Sequence, residues 1–320
     1  MNRLRAAAVA VALLFAVALP GAAYVSNALA SDSDAAPARK ESPAPLPFEP
    51  TEQLVYEGSF SKFLLRGIKI AEFSFTAGRP AEAQLKSVAA GTPAAADAST
   101  DAAKGADAKG AGTQAPVHLI GDVKSSGWFH RLFNIDFHFR VESLVERAGF
   151  SVLSTKKLDE QGKRVRTSEA TFDRAGKQVS WTEVDPNDPK REPRVVNTPL
   201  EGAAQDIVSA VYFLRTQQLK PGRSFEIVLS DSGQVYRVPA TVAAEPKRMK
   251  TVLGKVAVVR VEIKLFGEGL LVDGEGDMSI WFTDDARHVP VRARMSSDMG
   301  MIDIKLKSAS NSPTAEPKSH

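Results

Sequence analysis

Strict alternation is the feature that most constrains this chain. Over residues 255–266, Val259, Val261, Ile263 and Leu265 fall on one side, and Arg260, Glu262 and Lys264 fall on the other. Residues 301–307 repeat the pattern, with Ile302, Ile304 and Leu306 opposed by Asp303, Lys305 and Lys307. Side chains alternate along a strand, so a period of two means one buried face and one wet face. A parallel sheet covered on both sides would show continuous apolar runs instead. Strand-like segments recur over 54–60, 68–75, 117–124, 150–157, 165–172 and 178–183, at the spacing of a meander. An aromatic-rich stretch fills 128–145. Segments 225–229 and 235–242 flank Ser230-Asp231-Ser232-Gly233, which reads as a hairpin turn.

One helix interrupts this texture. Asp206 suits an N-cap, residues 207–217 contain neither Pro nor Gly, and Lys220-Pro221-Gly222 forms a stop. Ile207, Val208, Ala210, Val211, Tyr212, Phe213 and Leu214 cover nearly its whole circumference. A helix apolar on all sides must be surrounded. The predicted fold is therefore mainly β: a single curved antiparallel sheet, an open or half barrel, wrapped on one apolar helix.

The ends set the compartment. Arg3 and Arg5 precede an apolar run over 6–19, and Ala28-Leu29-Ala30 supplies a small-x-small cleavage pattern, with an earlier cut after Ala23 as the alternative. The run is short of the roughly 20 residues that span a bilayer. Residues 1–30 are thus read as a cleavable signal peptide, and its alanine-rich character predicts the bacterial periplasm. With zero cysteines the chain offers no lipid-modified cysteine, no disulfide and no thiolate chemistry. No later stretch is apolar enough to span a membrane. Losing Arg3 and Arg5 takes the formal charge from +3 to about +1, which argues against nucleic acid as a partner. Residues 31–50 and an Ala-rich insertion over 81–116 lack apolar periodicity and read as disordered, as does a polar tail over 308–320. The folded domain is expected over 51–307.

Asp284-Asp285-Ala286-Arg287-His288 is the densest group of reactive side chains. It lies between two alternating runs, beside Pro290, and reads as a charged hairpin turn. Adjacent aspartates on a strand point to opposite faces, so they do not converge on a metal. Solvent and Arg287 would leave a carboxylate there without the perturbation that acid–base catalysis needs. His130 and His138 are not spaced as a ligand pair, Ser209 lacks a nucleophile-elbow context, and Gly267-Glu268-Gly269 follows a strand without opening a helix. The sequence predicts no catalytic residue, no cofactor and no metal.

Residues 206–215 (DIVSAVYFLR), then Leu219-Lys220-Pro221-Gly222, and later residues 280–292 (IWFTDDARHVPVR) resemble a family of uncharacterised bacterial exported proteins, defined only as a domain of unknown function. Its members share an Asp-x-x-Ser-Ala-x-Tyr-x-x-Arg helix and a Trp-x-x-Asp-Asp-x-Arg-x-x-Pro-x-Arg hairpin. The resemblance covers about 54–307, and the family's frequent glycine near Ala71 is absent. It implies a fold and carries no activity. A more distant likeness is to the periplasmic lipoprotein carriers, whose open curved sheets have helical material over an apolar concave face.

Two functions are expected from these readings. The first is binding of a lipid or other apolar or acyl ligand in the concave sheet, lined by Val211, Phe213, Leu214, Val259, Val261, Ile263, Ile280 and Phe282. The second is a structural or protein-interaction module of the envelope. An enzyme using Asp284, Asp285 or His288 is disfavoured.

Overall fold

The computed structural model describes residues 45–81, 115–126, 136–245 and 247–311. Residues 1–30, read from the sequence as a signal peptide, most of the Ala-rich insertion, His130 and most of the stretch read as a tail lie outside the described residues. Fifteen strands form one antiparallel sheet: β1 (Gln53–Lys62), β2 (Leu65–Gly78), β3 (Val117–Ser125), β4 (Phe137–Glu146), β5 (Ser151–Gln161), β6 (Arg164–Asp173), β7 (Gln178–Val184), β8 (Arg194–Pro199), β9 (Ser224–Asp231), β10 (Gln234–Val242), β11 (Lys247–Thr251), β12 (Gly254–Ile263), β13 (Gly276–Thr283), β14 (Pro290–Ser297) and β15 (Gly300–Ser310). The helix, α1, spans Ile207–Thr216.

The order β8-β7-β6-β5-β4-β3-β2-β1-β15-β14-β13-β12-β10-β9 makes the topology a meander with a seam. β1 pairs with β15, from Gln53 opposite Ser310 to Ser61 opposite Met301, so the two ends of the domain meet in the middle of the sheet. β8 and β9 are the outermost strands, and the segment that joins them contains α1. The helix is therefore tied to both edges of the sheet. The sheet curls until those edges approach, but no ladder joins them. Side chains stitch the gap instead. Thr198 donates to the Gly233 carbonyl at 2.5 Å. Lys157 of β5 reaches Asp231 of β9 at 3.1 Å, and Thr155 donates to Asp206 at 2.7 Å.

Alternation decides which side chains enter the curve. Along β1 the buried positions are Leu54, Tyr56, Gly58 and Phe60; along β3 they are Val117, Leu119, Gly121 and Val123. At Gly121 the helix presses close against the sheet. A Cβ there would lie 2.5 Å from Val208 Cγ2, so only glycine leaves room for this approach. The outer face of the sheet carries charge, as where Asp303 of β15 accepts from Arg292 of β14 and lies 3.2 Å from Lys305.

Three boundaries differ from the sequence reading. Phe48, inside the stretch read as a linker, is buried and meets Tyr212 edge-on at 4.7 Å. An aromatic ring with a pocket to fill outweighs the Pro/Ala composition around it. β15 runs to Ser310, three residues into the stretch read as a tail, because β1 supplies a ladder up to Gln53. The helix stops at Thr216, before Lys220-Pro221-Gly222: Gln217 is extended (ψ 153°) and its N–H bonds to the Leu214 carbonyl.

Candidate functional site

The site is built on α1. Asp206 accepts from the Val208 and Ser209 amides at 2.9 and 2.8 Å, and the Ser209 hydroxyl accepts from the Asp206 amide at 2.8 Å. This reciprocal capping fixes the first turn and gives Ser209 a definite structural role. The opposite end is held by charge. Arg215 and Glu52 are both fully buried. The Arg215 guanidinium donates to both Glu52 oxygens, to the Pro47 carbonyl at 3.1 Å and to the Arg287 carbonyl at 3.1 Å. It also lies over the rings of Phe48 and Tyr212, at 5.1 and 5.3 Å.

The Asp284–His288 cluster belongs to this lock. Asp285 accepts from the Thr283 hydroxyl at 2.8 Å and from the amides of Arg287 and His288 at 3.0 and 3.2 Å. It holds the turn, as the sequence suggested. Arg287, however, turns away from the aspartates and donates to Glu52 at 3.2 Å. His288 sits at φ 43°, in the left-handed region, and its Nδ1 lies 2.8 Å from the Arg215 carbonyl, where it donates to one of the open carbonyls of the helix end. The turn thus clamps the C-terminus of α1. Nearby, Tyr56 donates to the Pro290 carbonyl at 2.8 Å. Burial pushes the Tyr56 and Tyr212 phenols well above their ordinary value, so both stay neutral.

Between these fixed ends one side of the helix faces open space. An almost wholly apolar, partly open cavity of about 130 Å³ lies between α1 and the concave sheet. Ile207, Ala210, Val211 and Leu214 line it from the helix. Their spacing of three, four and seven is a single helical stripe. Tyr56, Phe73, Phe75, Ile227, Leu229 and Val238 contribute from the strands, together with Ile263, Met278 and Ile280. Leu265 and Leu271, from the loop between β12 and β13, pack over it. That loop folds back on itself through the Gly267 amide to the Val272 carbonyl (3.0 Å) and the Val272 amide to the Leu265 carbonyl (3.0 Å).

Of the eight residues expected to line a pocket, Val211, Leu214, Ile263 and Ile280 do so. Phe213, Val259, Val261 and Phe282 do not. Phe213 lies off the helical stripe and packs towards Phe150, with ring centroids 6.5 Å apart. Val259 and Phe282 are opposite each other in the β12–β13 ladder and are buried in packed core that does not border the cavity, as is Val261. The helical stripe was available in the sequence at the spacing of its four residues. Tyr56, Phe73 and Ile227 needed the seam topology, which no local pattern carries.

Among the described residues no group of three or more His, Asp or Glu side chains is placed to hold a metal ion. His138 lies on the outer face, 2.9 Å from both Asp122 and Glu160, and does not line the cavity.

A curved, barrel-like sheet around one clamped helix, with an apolar cavity beside it, is the class of protein these features define. The chain belongs to the family described as "Protein of unknown function (DUF3108)", whose profile matches residues 91–307. That match ends where the resemblance in the sequence ends and begins after the first strand pair. Among solved structures the chain is similar to a β-barrel-like protein of the domain of unknown function DUF1849 from Brucella abortus, with 8% identity, a TM-score of 0.47, and coverage of 81% of this chain and 96% of that one. No curated protein matches.

Proposed function

We propose that this is an exported, non-enzymatic protein of the bacterial envelope that holds a small apolar group between α1 and the concave sheet. The carrying observation is the apolar cavity beside a helix whose ends are both fixed. Well-packed interiors contain few voids larger than a water molecule, so about 130 Å³ of apolar space marks a departure from ordinary packing. An apolar cavity of about 150 Å³ stays dry and accepts a benzene-sized guest. The space is smaller than the roughly 300 Å³ at which sites for drug-sized ligands begin. The occupant that fits is therefore a ring or the end of an acyl chain, not a whole lipid. The Asp206, Ser209 and Arg215 side chains are committed to capping and clamping the helix, which supports a role in binding over one in catalysis. Residues 1–30 support the periplasmic location.

The test is native mass spectrometry of the mature protein purified from its own envelope, beside an Ala210→Phe variant that fills the cavity. The reading predicts a co-purifying apolar adduct that is lost on solvent extraction and absent from the variant. An apo mass for both proteins, or an adduct that survives the substitution, would refute it.

A further inference from the structure

The turn between β1 and β2 breaks the rules of hairpin chemistry. Lys62 pairs with Leu65, leaving Phe63 and Leu64 as the two turn residues. Tight hairpins favour Asn, Asp or Gly at these places because the backbone enters the left-handed region. Phe63 occupies that region, at φ 50°, where a bulky side chain is strained. Phe63 is 80% exposed, Leu64 98% and Leu65 39%. The tip is thus apolar, convex and almost free of contact with the rest of the molecule. Neither folding nor solubility accounts for these side chains.

Within the end of the hairpin itself the charge has one sign, with Asp298 of the β14–β15 turn as the neighbouring acid beside Lys62. Residues 58–70 contain Lys62, Arg66 and Lys69 and no acid. Lys69 is paired with Glu57 at 3.0 Å. Lys62 donates to the Asp298 carbonyl at 2.7 Å and sits 5.7 Å from the Phe63 ring, with no carboxylate partner among the described residues. Arg66 is exposed and also has no ion-pair partner among them. Two cations therefore stand just behind a protruding apolar tip.

From this arrangement we infer that the β1–β2 tip docks the protein on an anionic lipid bilayer, inserting Phe63 and Leu64 while Lys62 and Arg66 sit at headgroup depth. A protein partner needs a patch of roughly 800 Å² on each side, more than the exposed side chains of Phe63, Leu64 and Leu65 supply. A bilayer accepts a small protrusion and rewards flanking cations. The inference is independent of the cavity. The β11–β12 turn is the competing element: Val252 and Leu253 are exposed there, beside Lys250 and Lys255. Strand directions place it at the opposite end of the sheet.

The test uses the mature chain and vesicles of equal parts phosphatidylglycerol and phosphatidylcholine. The absence of cysteine lets Leu64→Cys carry a single environment-sensitive dye. Vesicles are expected to shift its emission to the blue. In flotation, Phe63→Ser with Leu64→Ser should weaken binding at least about tenfold, and Lys62→Gln with Arg66→Gln should weaken it and flatten its salt dependence. Unchanged circular dichroism confirms that the variants fold. The inference is overturned if the native chain does not float, if the Phe63/Leu64 variant floats equally well, or if pure phosphatidylcholine binds as strongly. It is also overturned if Val252→Ser with Leu253→Ser, and not the β1–β2 change, abolishes binding.

Discussion

The two sides of α1 are packed by different rules. On one side Val208 presses into the space left by Gly121, Tyr212 meets Phe48, and Arg215 is buried against Glu52. On the other, Ile207, Ala210, Val211 and Leu214 face a cavity. One helix of ten residues thus carries a filled side and an unfilled side. A helix that only completed a core would be packed alike all round. Strong clamping on one side keeps the helix in place while the other side stays open, which is what a rigid apolar site requires.

The largest expected effect comes from breaking the clamp. Arg215→Ala leaves the Glu52 carboxylate buried without its main partner, and such losses cost about 3–5 kcal/mol. Replacing both partners with apolar residues, Arg215→Met with Glu52→Met, should recover much of that loss. Urea unfolding of the three proteins measures both effects; a loss below about 1 kcal/mol for Arg215→Ala would mean that the pair does not hold the helix.

A smaller pair of substitutions probes the two sides directly. Gly121→Ala adds one methyl against Val208 on the filled side and should destabilise by about 1–3 kcal/mol. Ala210→Leu adds more atoms on the open side and should be neutral or stabilising by up to about 1 kcal/mol, since it fills space. Equal costs at the two positions would show that the sides do not differ.

The smallest effect lies on the outer face and sharpens the contrast between interior and surface charge. A hydrogen bond from His118, with Arg140 adding to it, holds the Glu142 carboxyl down at about 2, from an ordinary 4.5. A carboxylate with a lowered folded value stabilises the fold above its unfolded value, and the contribution disappears as pH falls through the folded one. Glu142→Gln should therefore lower stability at neutral pH, and by much less near pH 2, where the folded carboxyl is half protonated. A difference of the same size at both pH values would remove the ionic part of this account.

Much of the fold was legible because alternation is a local signal. β12 and β15 could be read from their side chains, and Asp206 marked the helix start correctly. β8 and β11 were not legible. β8 pairs with a single neighbour and is exposed at most positions, so nothing forces apolar alternation on it. β11 (KRMKT) is mostly charged and pairs with β12 alone. The Glu52–Arg215 pair joins residues 163 apart, and no spacing rule reaches that far. In the sequence His288 is a candidate for chemistry, and Arg287 only a counter-charge to the aspartates. Their structural role depends on a helix end that only the three-dimensional fold brings beside them. The cavity was half visible for the same reason: Val211 and Leu214 follow from helical geometry, whereas Phe282 and Val261 are apolar residues of the same sheet that the curvature places in packed core.

The most direct test of the open side is a crystal of the protein pressurised with xenon, which enters dry apolar cavities and avoids packed core. The account predicts a xenon peak in contact with Ile207, Ala210, Val211 and Leu214, and its loss in Ala210→Phe. An interior without xenon at that place, with side chains filling the space beside the helix, would contradict it.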